Sequence, residues 1–341
     1  MTDCPAALGL APVSGVIRQS PADFRVSEQL GFVPEGEGEH LWLQLEKTNW
    51  NTLDLVAWLA KAAGIRLGQV GYSGLKDRRA VTDQWFSLHL PGRADPEFHW
   101  PEGVSLLQSL RHKRKLNRGT HRANTFELVL RDLRGDLEAL AGRFDAVARD
   151  GVPNYFGVQR FGREARNPAN ARAWLLGDIE APRKKGLRGI WLSSLRSELF
   201  NAVLAERVRE GVWHRLLDGD ILQPDGSRGL FHADDEPLAA ERVASGEVHP
   251  TAPLPGRGGM ASSRACAALE ARVLAGEQAV IDALAREGVD SARRATRLLV
   301  RELDWQRDNT ILTIRMRLPA GAFATTVLAE ILTTTTGEAC G

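Results

Sequence analysis

Hydrophobic residues change period twice along the 341-residue chain. In the first stretch they alternate. "DFRVSEQL", which follows Pro21, and "HLWLQLEK" put apolar side chains at every second position, with Leu41, Leu43 and Leu45 on one face and Trp42, Gln44 and Glu46 on the other, the period of a half-buried strand. "QWFSLHL", "VSLLQSL" and "TFELVLRDL" continue it. Two helices interrupt. "NTLDLVAWLAKAAG" has Asn51 or Thr52 as N-cap, Asp54 in the first turn and Gly64 as terminator. Residues Gly135 to Asp150 carry Leu137, Leu140, Phe144 and Val147 on one stripe and stop at Gly151 and Pro153. From Asn154 helical spacing takes over, in "NPANARAWLLG", "SSLRSELFNAVLAERVREG" and "GEQAVIDALAREG", between loops such as "LQPDGSRG" and "HPTAPLPGRGG". Alternation then returns in "RLLVRELDW" and "TILTIRMRL", with Leu312, Ile314, Met316 and Leu318 in phase, before a last helix, "AFATTVLAEIL". A strand-rich start and end around a helical block predict an α+β chain. A largely antiparallel sheet with helices packed on it is completed from both ends, by residues 1–153 and 297–341, around an inserted, mainly helical domain of residues 154–296.

Composition narrows the class. With 43% hydrophobic and 26% charged residues the chain is globular, and no run approaches the roughly 18 apolar residues of a membrane span. "MTDCPAALGLAP" has an acid where a signal peptide carries positive charge, which predicts a cytoplasmic protein. Cys4, Cys266 and Cys340 are too few and too scattered for a disulfide framework or a metal site, so no metal is expected. A net charge of +1 gives no global field, so a polyanionic partner would need local clusters of cations.

Such clusters exist. "GYSGLKDRRAVTDQWF" sets Asp77 between Lys76 and the pair Arg78 and Arg79, on a loop that Gly71 and Gly74 let turn tightly. A solvated charged turn is the ordinary reading of such a stretch, because exposed ion pairs contribute little. The sharper reading is a carboxylate kept ionised by its neighbours and ready to act as nucleophile or base. "RHKRKLNRGTHRANTF" gathers Arg111, Lys113, Arg114, Lys115, Arg118 and Arg122, with His112 and His121 among them, and phosphate is the natural partner for that density. The run ends at Asn124 and Phe126, an amide beside an aromatic that can read and stack an everted nucleobase, although the alternation with Leu128 and Leu130 favours the core for Phe126. "SPADFRVSE" and "LPAGAFATT" each set a phenyl ring, Phe24 or Phe323, just past a Pro-containing turn, where it can face a cleft, although core packing is the ordinary reading of either ring alone. "NYFGVQRFG" lies at the junction with the helical block, and its aromatic-Gly pairs and Arg160 fit a packed junction as well as an RNA-facing seam.

Taken in order, "PADFRVSE", "GEGEHLWLQLEK", "GYSGLKDRRAVTDQWFSLHLPG", "HKRKLNRGTHRANTF", "NYFGVQRFG" and "LPAGAFATT" resemble the TruD family of pseudouridine synthases, over about Val16 to Thr335. The resemblance implies an α+β chain: a pseudouridine-synthase catalytic domain, a mixed, mostly antiparallel sheet with flanking helices built from both chain ends, an inserted, mainly helical α/β TRUD domain, and a cleft between them for tRNA, whose uridine 13 in the D arm is isomerised by base flipping. It implies that Asp77 is the essential aspartate, that Phe24, Asn124 and Phe323 contact the substrate, and that Arg18 pairs with Asp77, with Lys76 as a further support. Arg78, Arg79, Lys113, Arg114, Lys115 and Arg118 would meet RNA phosphates. The family often has Lys where this chain has Arg18 and Glu where it has Ala22. Arginine's planar fork can hold a carboxylate by two bonds, which lysine cannot do. The isomerisation needs no cofactor, and the enzyme is expected to act as a monomer. Two rivals make different demands. A non-catalytic RNA-binding protein would not need Asp77, and a glycoside hydrolase would need a second carboxylate close by, for which Asp83, roughly 20 Å along a regular strand, is poorly placed.

Overall fold

The computed structural model describes residues 4–337, and Cys340 lies outside them. The chain divides into two compact units. In chain order the first elements are strands β1 (Val13–Ile17), β2 (Phe24–Gln29) and β3 (His40–Thr48), helix α1 (Thr52–Ala62), and strands β4 (Val70–Tyr72), β5 (Val81–His89), β6 (Val104–His112) and β7 (Ala123–Gly135). Next come α2 (Ala139–Asp150), β8 (Val152–Pro153), α3 (Arg166–Leu176), α4 (Lys185–Arg209), β9 (Ile221–Pro224), β10 (Phe231–His232), α5 (Ala239–Ser245), β11 (Val248–Leu254), α6 (Arg264–Leu274), α7 (Gln278–Arg286), β12 (Ala292–Ala295) and β13 (Arg297–Leu298). The chain closes with β14 (Arg301–Asp308), β15 (Ile311–Pro319), α8 (Ala324–Ile331) and β16 (Thr333–Thr336).

The sheet unit comprises Pro12–Leu140, Val300–Gly321 and the segment from Leu332 onward. Its ten strands run β14-β15-β7-β2-β5-β3-β6, with β1 also on β7, β16 on β1 and β4 on β5. Every pairing is antiparallel except β2 with β5 and β1 with β16. The two chain ends therefore complete one sheet. Strand β7 is long enough to serve two partners in succession: β2 pairs along Ala123–Leu128 and β1 along Leu130–Gly135. The expected helix of 135–150 starts only at Ala139, because Gly135 is taken by pairing with Val13 and its backbone runs against Pro12, where a Cβ would lie 2.2 Å from the Pro12 carbonyl oxygen.

Register places Leu41, Leu43 and Leu45 opposite Leu88, Phe86 and Gln84, and α1 covers this face with Leu55, Val56 and Leu59. The opposite face is covered too. Trp42, expected on a solvated side, is buried with Trp85, Leu30 and Leu116, under the segment that follows β6. Polar residues continue the α1-side face beyond the helix. Glu28 faces Asn124 across β2 and β7, Val26 faces Phe126 on one side and Thr82 on the other, and Lys47 faces Thr82 across β3 and β5.

The helical unit comprises the segment up to Ala11, Ala141–Leu299 and Ala322–Ile331. A four-stranded sheet, β10-β9-β11-β12, packs against α4, whose Phe200, Val203 and Leu204 meet Tyr155, Trp213, Ala252 and Leu269. On the other flank Leu195 and Leu199 meet Ala171, Val280 and Leu284. Arg207 and Asp220 form a buried pair at 2.6 Å.

The loop between β4 and β5 is tied down from several sides. The Lys76 ammonium donates to Glu28 Oε1 at 2.7 Å, with both side chains buried, and Glu28 Oε2 accepts from the Trp85 backbone N–H at 3.0 Å. The Lys76 N–H donates to the Thr52 hydroxyl at 2.9 Å, and Gln84 Nε2 donates to the Gly74 carbonyl at 2.6 Å. Breaking one side of a buried pair strands the other charge. Glu28→Gln is expected to lower stability by about 3 kcal/mol, read from the urea midpoint, and a loss below about 0.5 kcal/mol would mean that the pair does not hold the loop. Gly71 lies where the basic segment crosses β4, and an added Cβ would sit 2.3 Å from the Leu116 carbonyl oxygen and 2.4 Å from the Ser87 hydroxyl. Gly71→Ala is expected to cost about 1–3 kcal/mol in the same assay, and a neutral result would show that the segment docks loosely.

Candidate active site

Arg18 stands at the break between β1 and β2, where the chain leaves one part of β7 and joins the next. It takes a left-handed conformation, φ 61°, unusual for a residue with a long side chain. The break is clamped by Asp23, whose carboxylate accepts from Arg131 at 2.9 Å. Burial pushes the Asp23 pKa up, but the bonds from Arg131 and from the Ser20 backbone outweigh it and hold the acid below its ordinary value.

From there Arg18 Nη2 donates to Asp77 Oδ2 at 2.6 Å, and its guanidinium carbon lies 4.0 Å from the centre of the Phe24 ring. A single guanidinium nitrogen bonds a single carboxylate oxygen, so the two-bond fork open to arginine is not formed. The guanidinium also lies over the phenyl ring. Asp77 keeps its carboxylate at the surface, with 56% of the side chain exposed. Its main-chain carbonyl accepts from Lys47 Nζ at 3.3 Å, and Lys47 also donates to the Trp50 carbonyl at 2.7 Å.

The other expected residues divide. Lys76 does not reach the Asp77 carboxylate, since its ammonium is held by Glu28. Phe24 is buried, edge-on to Phe126 at 6.2 Å and capped by Arg18, so its ring is a wall and not an open stacking face. Asn124 is buried on the same sheet face as Phe126 and Glu28; its Nδ2 lies 3.4 Å from His121 Nε2, and among the described residues nothing bonds its Oδ1. His121 is fixed in turn by Ser73, whose hydroxyl lies 2.5 Å from Nδ1 and accepts from the His121 backbone N–H at 2.8 Å. Burial, and then the Lys76 ammonium, lower the His121 pKa below its ordinary 6.5 and leave the ring neutral at neutral pH. Phe323 belongs to the helical unit, half-buried, where a Cβ on Gly157 would lie 3.3 Å from its ring.

The basic segment is less free than its charge count. Lys113 pairs with Glu37 at 2.7 Å and Glu35 at 3.4 Å, Arg111 pairs with Asp95, and Lys115 donates to the Gly68 carbonyl at 2.5 Å. Arg118 donates to the Tyr72 hydroxyl at 2.6 Å, and Arg78 to the Asn49 carbonyl at 3.0 Å. Arg79, Arg114 and Arg122 are exposed and have no ion-pair partner among the described residues. His112, in the same run, is buried beside Trp42. In the helical unit "NYFGVQRFG" is a packed junction: Asn201 exchanges two hydrogen bonds with the Phe156 backbone, and the Arg294 guanidinium lies 4.2 Å from the centre of the Phe156 ring. Among the described residues no cluster of His, Cys, Asp and Glu is placed to hold a metal ion.

Lys47, Glu28, Gln84 and His121 were not among the expected site residues. The first three were findable, because each is a polar residue in the inward phase of its strand, after Leu41, Leu43 and Leu45 for Lys47, after Phe24 and Val26 for Glu28, and before Phe86 and Leu88 for Gln84. His121 lies in an irregular segment with no phase to read.

This chain matches the family model described as tRNA pseudouridine synthase D (TruD) over residues 7–181 and 179–331. Among curated relatives, the tRNA pseudouridine synthase D of Pseudomonas aeruginosa strain LESB58 is 44% identical over 331 residues, covering 96% of this chain and 93% of the relative. That of Azotobacter vinelandii is 45% identical, covering 96% and 94%. A crystal structure of a putative tRNA pseudouridine synthase D (TruD) from Methanosarcina mazei, 20% identical, shares the fold with a TM-score of 0.76 over 96% of this chain and 95% of that one. The chain belongs to the tRNA pseudouridine synthase D (TruD) family.

Proposed function

We propose that this chain is a tRNA pseudouridine synthase that isomerises uridine 13 of the D arm, with Asp77 as the carboxylate that drives the reaction. The observation that carries the proposal is the exposed Asp77 carboxylate, paired with Arg18 at 2.6 Å on a loop held by the buried Lys76–Glu28 pair, in a chain 44% identical to a protein named tRNA pseudouridine synthase D. The target base is flipped out of the RNA into the site. Asp77 assists cleavage of the bond from N1 to C1′, the freed base turns, and C5 joins C1′; the C5 proton is lost and N1 gains one, so the reaction balances without a co-reactant.

The neighbours divide the remaining work. Arg18 aims the carboxylate, and Phe24 backs Arg18. Asn124 offers Oδ1 as an acceptor for the uracil N3–H, a donor that cytosine lacks. Phe323, which belongs to the helical unit, is assigned a contact with the RNA substrate. Arg78, Arg79, Arg114, Arg118 and Arg122 meet phosphates, whereas Lys113 is held by its two glutamates. The enzyme works in the cytoplasm, as a monomer. No helix among the described residues is long and apolar enough to cross a membrane.

With a tRNA transcript tritiated at uridine C5, Asp77→Asn should release no tritium while binding the transcript within about twofold of wild type; retained turnover would remove Asp77 from the chemistry. Arg114→Ala should weaken tRNA binding and lower the slope of log K against log salt by about 1, whereas Lys113→Ala should change the slope little. The reverse ranking, read by filter binding at several salt concentrations, would show that the Lys113 pairs open on RNA.

A further inference from the structure

Lys47 is the buried cation that the reaction above leaves unused. Its side chain is among the largest fully buried ones in the protein, yet no carboxylate forms an ion pair with it among the described residues. Two of its three N–H donors go to main-chain carbonyls, of Trp50 at 2.7 Å and of Asp77 at 3.3 Å. An ammonium enclosed without a counter-ion is costly, and a chain filling the space for packing alone would use leucine or methionine, as it does at Leu41, Leu43 and Leu45 on the same face.

We propose that Lys47 is a positioning residue for Asp77: its ammonium fixes the main chain from which the carboxylate projects and holds a positive charge beneath it. This rests on the reading of Asp77 as the reactive carboxylate. The geometry separates the roles of three cations. Arg18 bonds the carboxylate, Lys76 ties the preceding residue to β2, and Lys47 bonds the carbonyl of Asp77 itself. The charged groups acting on Lys47 are Asp77 and Lys76 from the loop and Glu28 from β2, while its strand partners Thr82 on β5 and Val104 on β6 bring no charge. Burial lowers its pKa from 10.5 to about 8, with the charges of Asp77 and Glu28 opposing the fall and that of Lys76 adding to it. The positive charge beneath Asp77 is therefore present below about pH 8 and lost above it.

The test is the pH profile of pseudouridine formation on unmodified tRNA by wild type, Lys47→Arg and Lys47→Met, between about pH 7 and 9. Wild-type kcat should fall as pH rises through about 8, and Lys47→Arg, which stays charged, should lose that fall. Lys47→Met should lower kcat roughly 10- to 100-fold at the acid end, flatten the profile, and leave KM and tRNA affinity within about twofold, because the residue is buried away from RNA. Lys47→Met turning over within about twofold of wild type, or the same alkaline fall in wild type and Lys47→Arg, would overturn the inference. If Lys47→Met does not fold, wild type against Lys47→Arg decides. A wild-type protein that makes no pseudouridine at any pH overturns the proposed function and this inference together, whereas an active enzyme with an unmoved profile overturns this inference alone.

Discussion

The ion pair between Lys76 and Glu28 is the interaction on which the rest of the site depends. Both groups are buried, and Glu28 also accepts from the Trp85 backbone, so the loop is attached to the sheet at the residue immediately before Asp77. A buried pair of this kind adds little net stability compared with an apolar pair, but it defines one arrangement, because any other leaves a charge without a partner. Thr52, Gln84 and Lys47 add bonds to the Lys76, Gly74 and Asp77 backbones. The result is an exposed acid on a loop bonded to the sheet at several points.

Exposure and rigidity have separate sources here. The Arg18–Asp77 pair is in contact with solvent through its exposed carboxylate, and ion pairs at the surface contribute about 0–1 kcal/mol to stability. Its value is orientation, since Arg18 is held by its place at the strand break and by the Phe24 ring. The acid can thus remain accessible to a substrate while its direction is set by groups that are not. Asn124 differs in being buried: His121, itself held by Ser73, contacts its amide nitrogen, and its buried Oδ1 has no partner among the described residues.

Much of the sheet was legible because period-2 alternation survives wherever a strand buries one face, and β15, with Leu312, Ile314, Met316 and Leu318 all inward, is the clearest case. Trp42 was read as an outer residue because alternation cannot say what covers the second face, and a charged segment, 113–122, proved to be the cover. Strand β16 was missed; "TTTT" has no apolar phase and is a strand only because β1 offers it an edge. The Asp77 loop stood out by charge, but composition could not tell which of its cations faces the acid. Arg18, distant in sequence, does so, while the adjacent Lys76 turns inward to satisfy Glu28, because an unpaired buried carboxylate would be the costlier outcome. Nor could the charge count of the basic run show that Glu35 and Glu37, far away in sequence, pair with Lys113.

The most direct measurement is to incubate the purified wild-type protein with unmodified tRNA transcripts and map pseudouridine by chemical labelling and primer extension. A single labelled site at uridine 13 is the expected result. Transcripts that are bound but remain unlabelled at every uridine would contradict the account.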